Sequence, residues 1–128
     1  MLAKALVSII VAATAFSGTA AASDFSKTCW DCYLTSSGQS AWLNCVCGAI
    51  DGRQVSTFLD LNDCYVNNGG HLAVQLNGNF LASCYGPSLD PPRELTVACG
   101  DGVGDITINH LNLDNTVENY DGLLACSP

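Results

Sequence analysis

Hydrophobic positions in this chain come in short runs: Cys32-Tyr33-Leu34, Ala41-Trp42-Leu43, Leu72-Ala73-Val74, Leu95-Thr96-Val97 and Ile106-Thr107-Ile108, each bounded by clusters of Gly, Asn, Asp and Ser. Runs of that length between turn formers read as β-strands. No segment holds apolar residues at helical spacing for three turns. The best helical stretches, 59–64 and 111–116, are long enough only for single 3₁₀ or turn-like pieces. The pattern predicts an all-β protein.

The same pattern repeats. FSKTC at 25–29 returns as FLASC at 80–84, and LDLND at 59–63 as LNLDN at 111–115. VNNGGHL at 66–72 aligns with ENYDGLL at 118–124, with the second glycine and the following leucine in register. The chain therefore reads as two tandem repeats, about 25–76 and 80–126, joined by a linker at 75–79. A unit of roughly fifty residues holds too little core to stand alone, so the halves are expected to share one.

The start of the chain has a different character. Residues 1–22 carry Lys4, an apolar run and then small residues, with an Ala20-Ala21-Ala22 triplet before Ser23. This is the pattern of a secretory signal peptide, and the apolar run is shorter than the roughly 20 residues of a bilayer span. A secreted, extracellular domain at 23–128 without membrane insertion is expected. Export also bears on the eight cysteines, since an even count in a small secreted chain favours disulfides.

Repeat matching sets Cys29 and Cys45 against Cys84 and Cys99, and leaves Cys32, Cys47, Cys64 and Cys126 without counterparts. Cys84 with Cys99 is the firmest pairing. In the first repeat, Cys29 with Cys45 competes with a nested arrangement, Cys29 with Cys47 and Cys32 with Cys45, that suits two antiparallel strands. By elimination Cys64 joins Cys126.

Twelve acidic side chains against four basic ones give a formal charge of -8, which argues against nucleic acid and anionic membrane surfaces. With 48% hydrophobic and 12% charged residues, the chain is not a disordered acidic segment. Cys29-Trp30-Asp31-Cys32 has thiol-oxidoreductase spacing and, with Cys45 and Cys47, a count of zinc ligands. No helix pattern follows it, however, so disulfides are the better reading and no metal is expected. The glycine-rich run 100–105 lacks the alternating oxygen ligands of a calcium loop and reads as a hairpin connection. No nucleophile elbow or metalloprotease motif occurs, and no pair among the carboxylates stands out; the protein is read as non-enzymatic, with no cofactor.

What remains is a set of small polar groups on repeated turns: Asn67 and Gly70, Asn119, Asp121 and Gly122, with Thr28 or Ser83 beside a cysteine. Amides, carboxylates and backbone groups on rigid turns suit sugar hydroxyls, which both donate and accept. The plainer alternative is that these residues simply make the turns.

In combination, the repeated FSKTC, LDLN and glycine-turn motifs, above all 111–114 (LNLD) followed by 117–122 (VENYDG), resemble the cyanovirin-N family of glycan-binding proteins. The secreted, cysteine-enriched form is similar to its filamentous-fungal members. The resemblance implies a pseudo-symmetric fold, each half a three-stranded sheet plus a β-hairpin with short 3₁₀ turns, and strands exchanged between the repeats. It also implies a lectin for mannose-containing oligosaccharides. One family pocket maps to Lys27, Thr28, Val46, Cys47, Gly48, Asn119, Tyr120 and Asp121. The other maps to Val66, Asn67, Asn68, Gly69, Asn79, Ala82, Ser83, Gly100, Asp101, Gly102 and Gly104.

This chain departs from the family at both pockets. Val46 stands where the first pocket has a carboxylate, while Asn119 and Asp121 keep the family's amide and acid. In the second, Gly69 and Ala82 replace acidic residues and the glycine-rich run replaces a basic loop, so a weaker site built on Asn67, Asn68, Asn79, Ser83 and Asp101 is expected. The linker lacks the hinge proline of family members that exchange domains, which makes a monomer the expectation. Removing Asn119 and Asp121 together is expected to abolish binding with little change in stability. The competing reading is a disulfide-rich scaffold that acts through protein contacts after losing sugar binding.

Overall fold

The computed structural model describes residues 24–127; the leader assigned to 1–22 lies outside them. A 3₁₀ turn, Phe25–Lys27, opens the first repeat and leads into β1 (Cys29–Ser37), β2 (Ser40–Gly48) and β3 (Gln54–Asp60). A second 3₁₀ turn, Leu61–Asp63, precedes the hairpin β4 (Tyr65–Asn68) and β5 (His71–Val74). The order then repeats with the turn Phe80–Ala82, β6 (Cys84–Asp90), β7 (Glu94–Gly100), β8 (Ile106–Asn112), the turn Leu113–Asn115, β9 (Val117–Tyr120) and β10 (Leu123–Cys126). Two antiparallel three-stranded sheets, β1-β2-β3 and β6-β7-β8, and two hairpins result.

The all-β, two-fold repeating reading of the sequence holds, and so does the exchange. The last hairpin lies on the first sheet, with β10 against β3 and β2, while β5 lies against β8 of the second sheet. Side chains bolt each crossing. Leu124 N donates to Thr57 Oγ1 at 3.1 Å, and Leu72 N donates to Asn109 Oδ1 at 3.0 Å.

Alternation along the central strands puts Ala41, Leu43, Cys45 and Cys47 inward from β2, and Leu95, Val97 and Cys99 inward from β7. Phe25, Phe80, Leu61, Leu113, Tyr65 and Val117 complete one core drawn from both repeats. The 3₁₀ turns are pinned across the repeats as well. Asp60 Oδ1 accepts from Asn62 N, and Asn62 Oδ1 from Leu81 N; Asn112 Oδ1 accepts from Asp114 N, and Asp114 Oδ1 from Ser26 N. The LDLN and LNLD motifs thus exchange acid and amide while keeping one geometry: the first polar residue caps its own turn, and the second holds the opening turn of the other repeat.

The linker at 75–79 is tightly held. Asn77 N donates to Asp63 O at 2.9 Å and Asn79 N to Asn62 O at 2.8 Å. Gly78 passes so close to Tyr65 that a Cβ there would sit on its carbonyl.

Four disulfides form: Cys29–Cys47, Cys32–Cys45, Cys84–Cys99 and Cys64–Cys126. The nested pairing is realised, so Cys29 does not join Cys45. The counterpart of Cys99 is Cys47, since each immediately precedes the glycine, Gly48 or Gly100, that ends its strand. The first hairpin separates its cysteines by 18 positions and the second by 15; this longer first hairpin is what displaced the repeat match. Cys64–Cys126 closes 62 positions, which the chain-entropy model values at about 4 kcal/mol.

Candidate functional site

Each sheet ends where a hairpin turn from the other repeat is clasped to it. At the first sheet, Asn119 Nδ2 donates to Thr28 Oγ1 and to Gly48 O, both at 2.9 Å, and its Oδ1 accepts from Gly122 N at 2.7 Å. At the second, Asn67 Nδ2 donates to Ser83 Oγ and Gly100 O, both at 2.8 Å, and its Oδ1 accepts from Gly70 N at 2.8 Å. The two clasps are the same device built twice. Gly122 and Gly70 lie at φ 93° and 97°, and a Cβ at Gly122 would come within 2.7 Å of Val55. The turn therefore requires glycine twice over, for its backbone and for its close approach.

Both amides are thus committed to protein partners, so Asn119 acts first as a structural clasp and only through it as a wall of the pocket. Its presence at both ends, including the end where binding was expected to be weak, was the sequence signal for that role.

The ends differ in what surrounds the clasp. Asp121 sits at φ 50°, a left-handed conformation for which its counterpart is Gly69 at φ 61°. Its Oδ1 accepts from Ile50 N at 2.9 Å and ties the 49–53 loop to the hairpin turn. That loop is braced by Arg53, whose Nε lies 2.7 Å from Asp51 Oδ2. The Arg53 backbone N–H and guanidinium hold the Asp51 carboxyl below its usual range, and Asp51 in turn raises Arg53. A groove of about 360 Å³ results, lined by Ile50, Asn119, Tyr120 and Asp121, with the Tyr120 side chain well exposed at 69%. Thr28 and Gly48 stand behind Asn119.

Ile50 and Arg53 were not anticipated from the sequence. Their signal was positional, since 49–53 is the counterpart of the glycine-rich run at the other end. Lys27 is exposed and pairs with Asp24 at 3.2 Å, so its ammonium flanks the site already partnered. Cys47 is fully buried in its disulfide, and Val46 lies on the outer face of β2.

At the other end, Gly69 brings no side chain to the turn and the 101–105 loop closes on itself. Asp101 Oδ1 accepts from Val103 N at 2.7 Å and Asp105 N at 3.1 Å, and these backbone donors hold its carboxyl below the usual range. Asn68 ends β4 exposed, Asn79 adopts φ 54° ahead of the Phe80–Ala82 turn, and Ser83 serves the clasp. Asn67 and Ser83 are joined at this end with Asp101 beside Gly70, but Asp101 faces its own loop and Asn79 is held at the linker by Asn62.

Comparison with known proteins agrees with this architecture. The CVNH domain model matches residues 25–126. TbCVNH from T. borchii is 26% identical, covering 81% of this chain and 99% of its own, with a TM-score of 0.68. Microvirin, in a complex with mannobiose, is 27% identical over 81% of this chain and 98% of its own, with a TM-score of 0.64. A MoCVNH3 variant in complex with (N-GlcNAc)4 is 18% identical over 83% and 98%, with a TM-score of 0.69; at that identity it speaks for the fold alone. Fold and matches together define a pseudo-symmetric, double-repeat β protein. The chain belongs to the cyanovirin-N homologue family, a family of lectins.

Proposed function

We propose that this protein is a secreted, monomeric, non-enzymatic lectin that binds neutral, mannose-containing glycans mainly through the pocket at Thr28, Gly48 and 119–121. The observation that carries the reading is Asp121. An acid held in the left-handed region, where the equivalent turn takes glycine, carries a local cost of order 1 kcal/mol, and its hydrogen bond from Ile50 N uses one carboxylate oxygen and leaves the other open to a ligand. Its carboxylate stands on a rigid turn beside an exposed tyrosine, an arrangement that offers hydroxyl acceptors and a ring face to one sugar. The mannobiose complex of microvirin supports the ligand class, and the four disulfides support an extracellular setting.

The test is isothermal titration of the oxidised mature chain with mannobiose, alongside Asp121→Gly, the residue found at the other end. A stoichiometry near one, with binding lost in Asp121→Gly and the melting temperature held, is expected. A stoichiometry near two would restore the second pocket. No heat, together with an empty glycan array, would move the assignment to a scaffold acting through protein contacts.

A further inference from the structure

The pseudo-symmetry supplies an internal control for every surface, and one surface fails it. On the outer face of the first sheet, antiparallel pairing aligns Trp30 with Val46 and Ser56, Tyr33 with Asn44 and Phe58, and Thr35 with Trp42 and Asp60. The same rows of the second sheet hold Tyr85, Ala98 and Ile108, then Ser88, Thr96 and His110, then Asp90, Glu94 and Asn112. The middle and lower rows are polar throughout in the second sheet, whereas in the first they carry Tyr33, Phe58 and Trp42, so the fold does not demand these rings. Tyr33 and Phe58 are 58% and 64% exposed. They flank a groove of about 340 Å³, with Asp31, Asn44, Val46 and Ser56 also in its walls.

We infer that this face is a second glycan-binding surface, a platform on which a neutral oligosaccharide chain entering the 119–121 pocket continues across the sheet. The inference rests on the lectin reading for the identity of that chain. Three observations select this occupant.

The groove alternates ring faces with hydroxyl, amide and carboxylate groups, and a sugar chain, with apolar C–H faces and polar rims, matches both. The platform also runs into the pocket: Gly48, whose carbonyl Asn119 holds, lies two residues and about 7 Å along β2 from Val46. The Trp30 ring bridges the step, 3.9 Å from where a Cβ of Gly48 would stand. Third, the platform is pre-organised. A β-bulge between Trp30 and Tyr33 is cross-linked by Cys32–Cys45, while the matching bulge between Tyr85 and Ser88 has no such bond. Asp31, in that bulge, lies at φ 54° where its counterpart Gly86 lies at φ 67°. An acid thus again occupies a glycine conformation, as Asp121 does.

The experiment compares mannobiose with a linear mannan-derived oligosaccharide several units longer, on the full mature chain and on a Tyr33→Ser, Phe58→His variant. Those are the residues of the second sheet, so the strand environment accepts them. Two ring stacks at about fivefold each give an expected length gain of about 25-fold in the native chain, and near unity in the variant. Mannobiose affinity should stay unchanged. Both tryptophans of the chain, Trp30 and Trp42, lie on this face, and Trp42 packs edge-on against Phe58 at 5.5 Å. The long chain should therefore shift the emission of a Trp30→Phe variant, and mannobiose should not.

A length gain that survives in the double variant, or no gain in a native chain that binds mannobiose, overturns the platform. Binding of the long chain without mannobiose binding, abolished by the double variant, keeps the platform and removes the pocket reading. Self-association in sedimentation that the double variant abolishes would assign the face to a second copy and overturn the proposal.

Discussion

Replacing Asn119 by alanine separates a clasp from a contact. The substitution removes three hydrogen bonds: the donations to Thr28 Oγ1 and Gly48 O and the acceptance from Gly122 N. The Thr28 bond is exposed and contributes least, whereas Gly48 O and Gly122 N are half-buried and lose their side-chain partner. At about 1 kcal/mol for each well-shielded bond and less for the exposed one, the loss is about 2 to 3 kcal/mol. For a domain of this size that lowers Tm by about 10 to 20 °C. Asn67→Ala breaks the equivalent three bonds at the other end and should cost the same, which makes it the control. Scanning calorimetry of the oxidised variants measures both, and titration with mannobiose should then show binding weakened in Asn119→Ala alone. An Asn119→Ala protein that melts with the native chain would refute the clasp and restore the expectation, drawn from the sequence, that this side chain can be removed with little change in stability.

Other outcomes follow from the same geometry. Gly78→Ala would place its Cβ on the Tyr65 carbonyl, so the 75–79 linker must shift; denaturant titration should show a loss of several kcal/mol or no folded protein. Tyr65 is fully buried, and burial, only partly offset by the neighbouring Thr116 hydroxyl, pushes its pKa up to about 12. Its folded pKa lies above the unfolded value of about 10, so its share of the stability is intact below pH 10 and is lost as pH climbs towards 12. Tyr65→Phe should remove that alkaline loss at little or no cost at pH 7, read from Tm against pH. Asp101, with its pKa lowered by the Val103 and Asp105 amides, contributes above the carboxylate range and loses that contribution on acidification. The protection factors of the Val103 and Asp105 amides, corrected for the intrinsic exchange rate at each pH, should therefore fall towards pH 3, while those in the core strands β2 and β7 change less.

Much of the fold was legible because the repeats report it twice. Short apolar runs gave the strands and the LDLN and LNLD motifs gave the 3₁₀ turns, since each needs only local residues. Those opening the repeats at Phe25–Lys27 and Phe80–Ala82 were visible as repeated motifs but not as turns. Their pins come from Asp114 and Asn62, far away in sequence. Cystine pairing in the first hairpin was left open because that hairpin is longer than the second, so repeat spacing set Cys45 rather than Cys47 against Cys99. The site was harder to read than the fold. The sequence brought Asn119, Asp121 and Thr28 together but did not show that the amide is used up by protein, because hydrogen-bond saturation is a property of three dimensions.

The two halves then sort residues by role more sharply than either half alone. What both ends keep, such as Asn67 with Asn119, Gly70 with Gly122 and Leu61 with Leu113, serves the exchange of hairpins, and its loss should be felt as stability wherever it occurs. What one end keeps against backbone preference needs another cause. Asp31 and Asp121 both hold left-handed conformations where the opposite end of the molecule has Gly86 and Gly69, and both belong to surfaces around the first sheet: one to the sheet groove, the other to the clasped turn beside Gly48. Glycine reaches φ > 0 without the Cβ strain, and the bond from Ile50 N offsets that strain for Asp121 only in part. Two acids on one side of the molecule are therefore what the proposed glycan site at the first sheet and its clasped hairpin would need, and the opposite end, with glycines at both places, is expected to serve chiefly to hold the exchanged hairpins together.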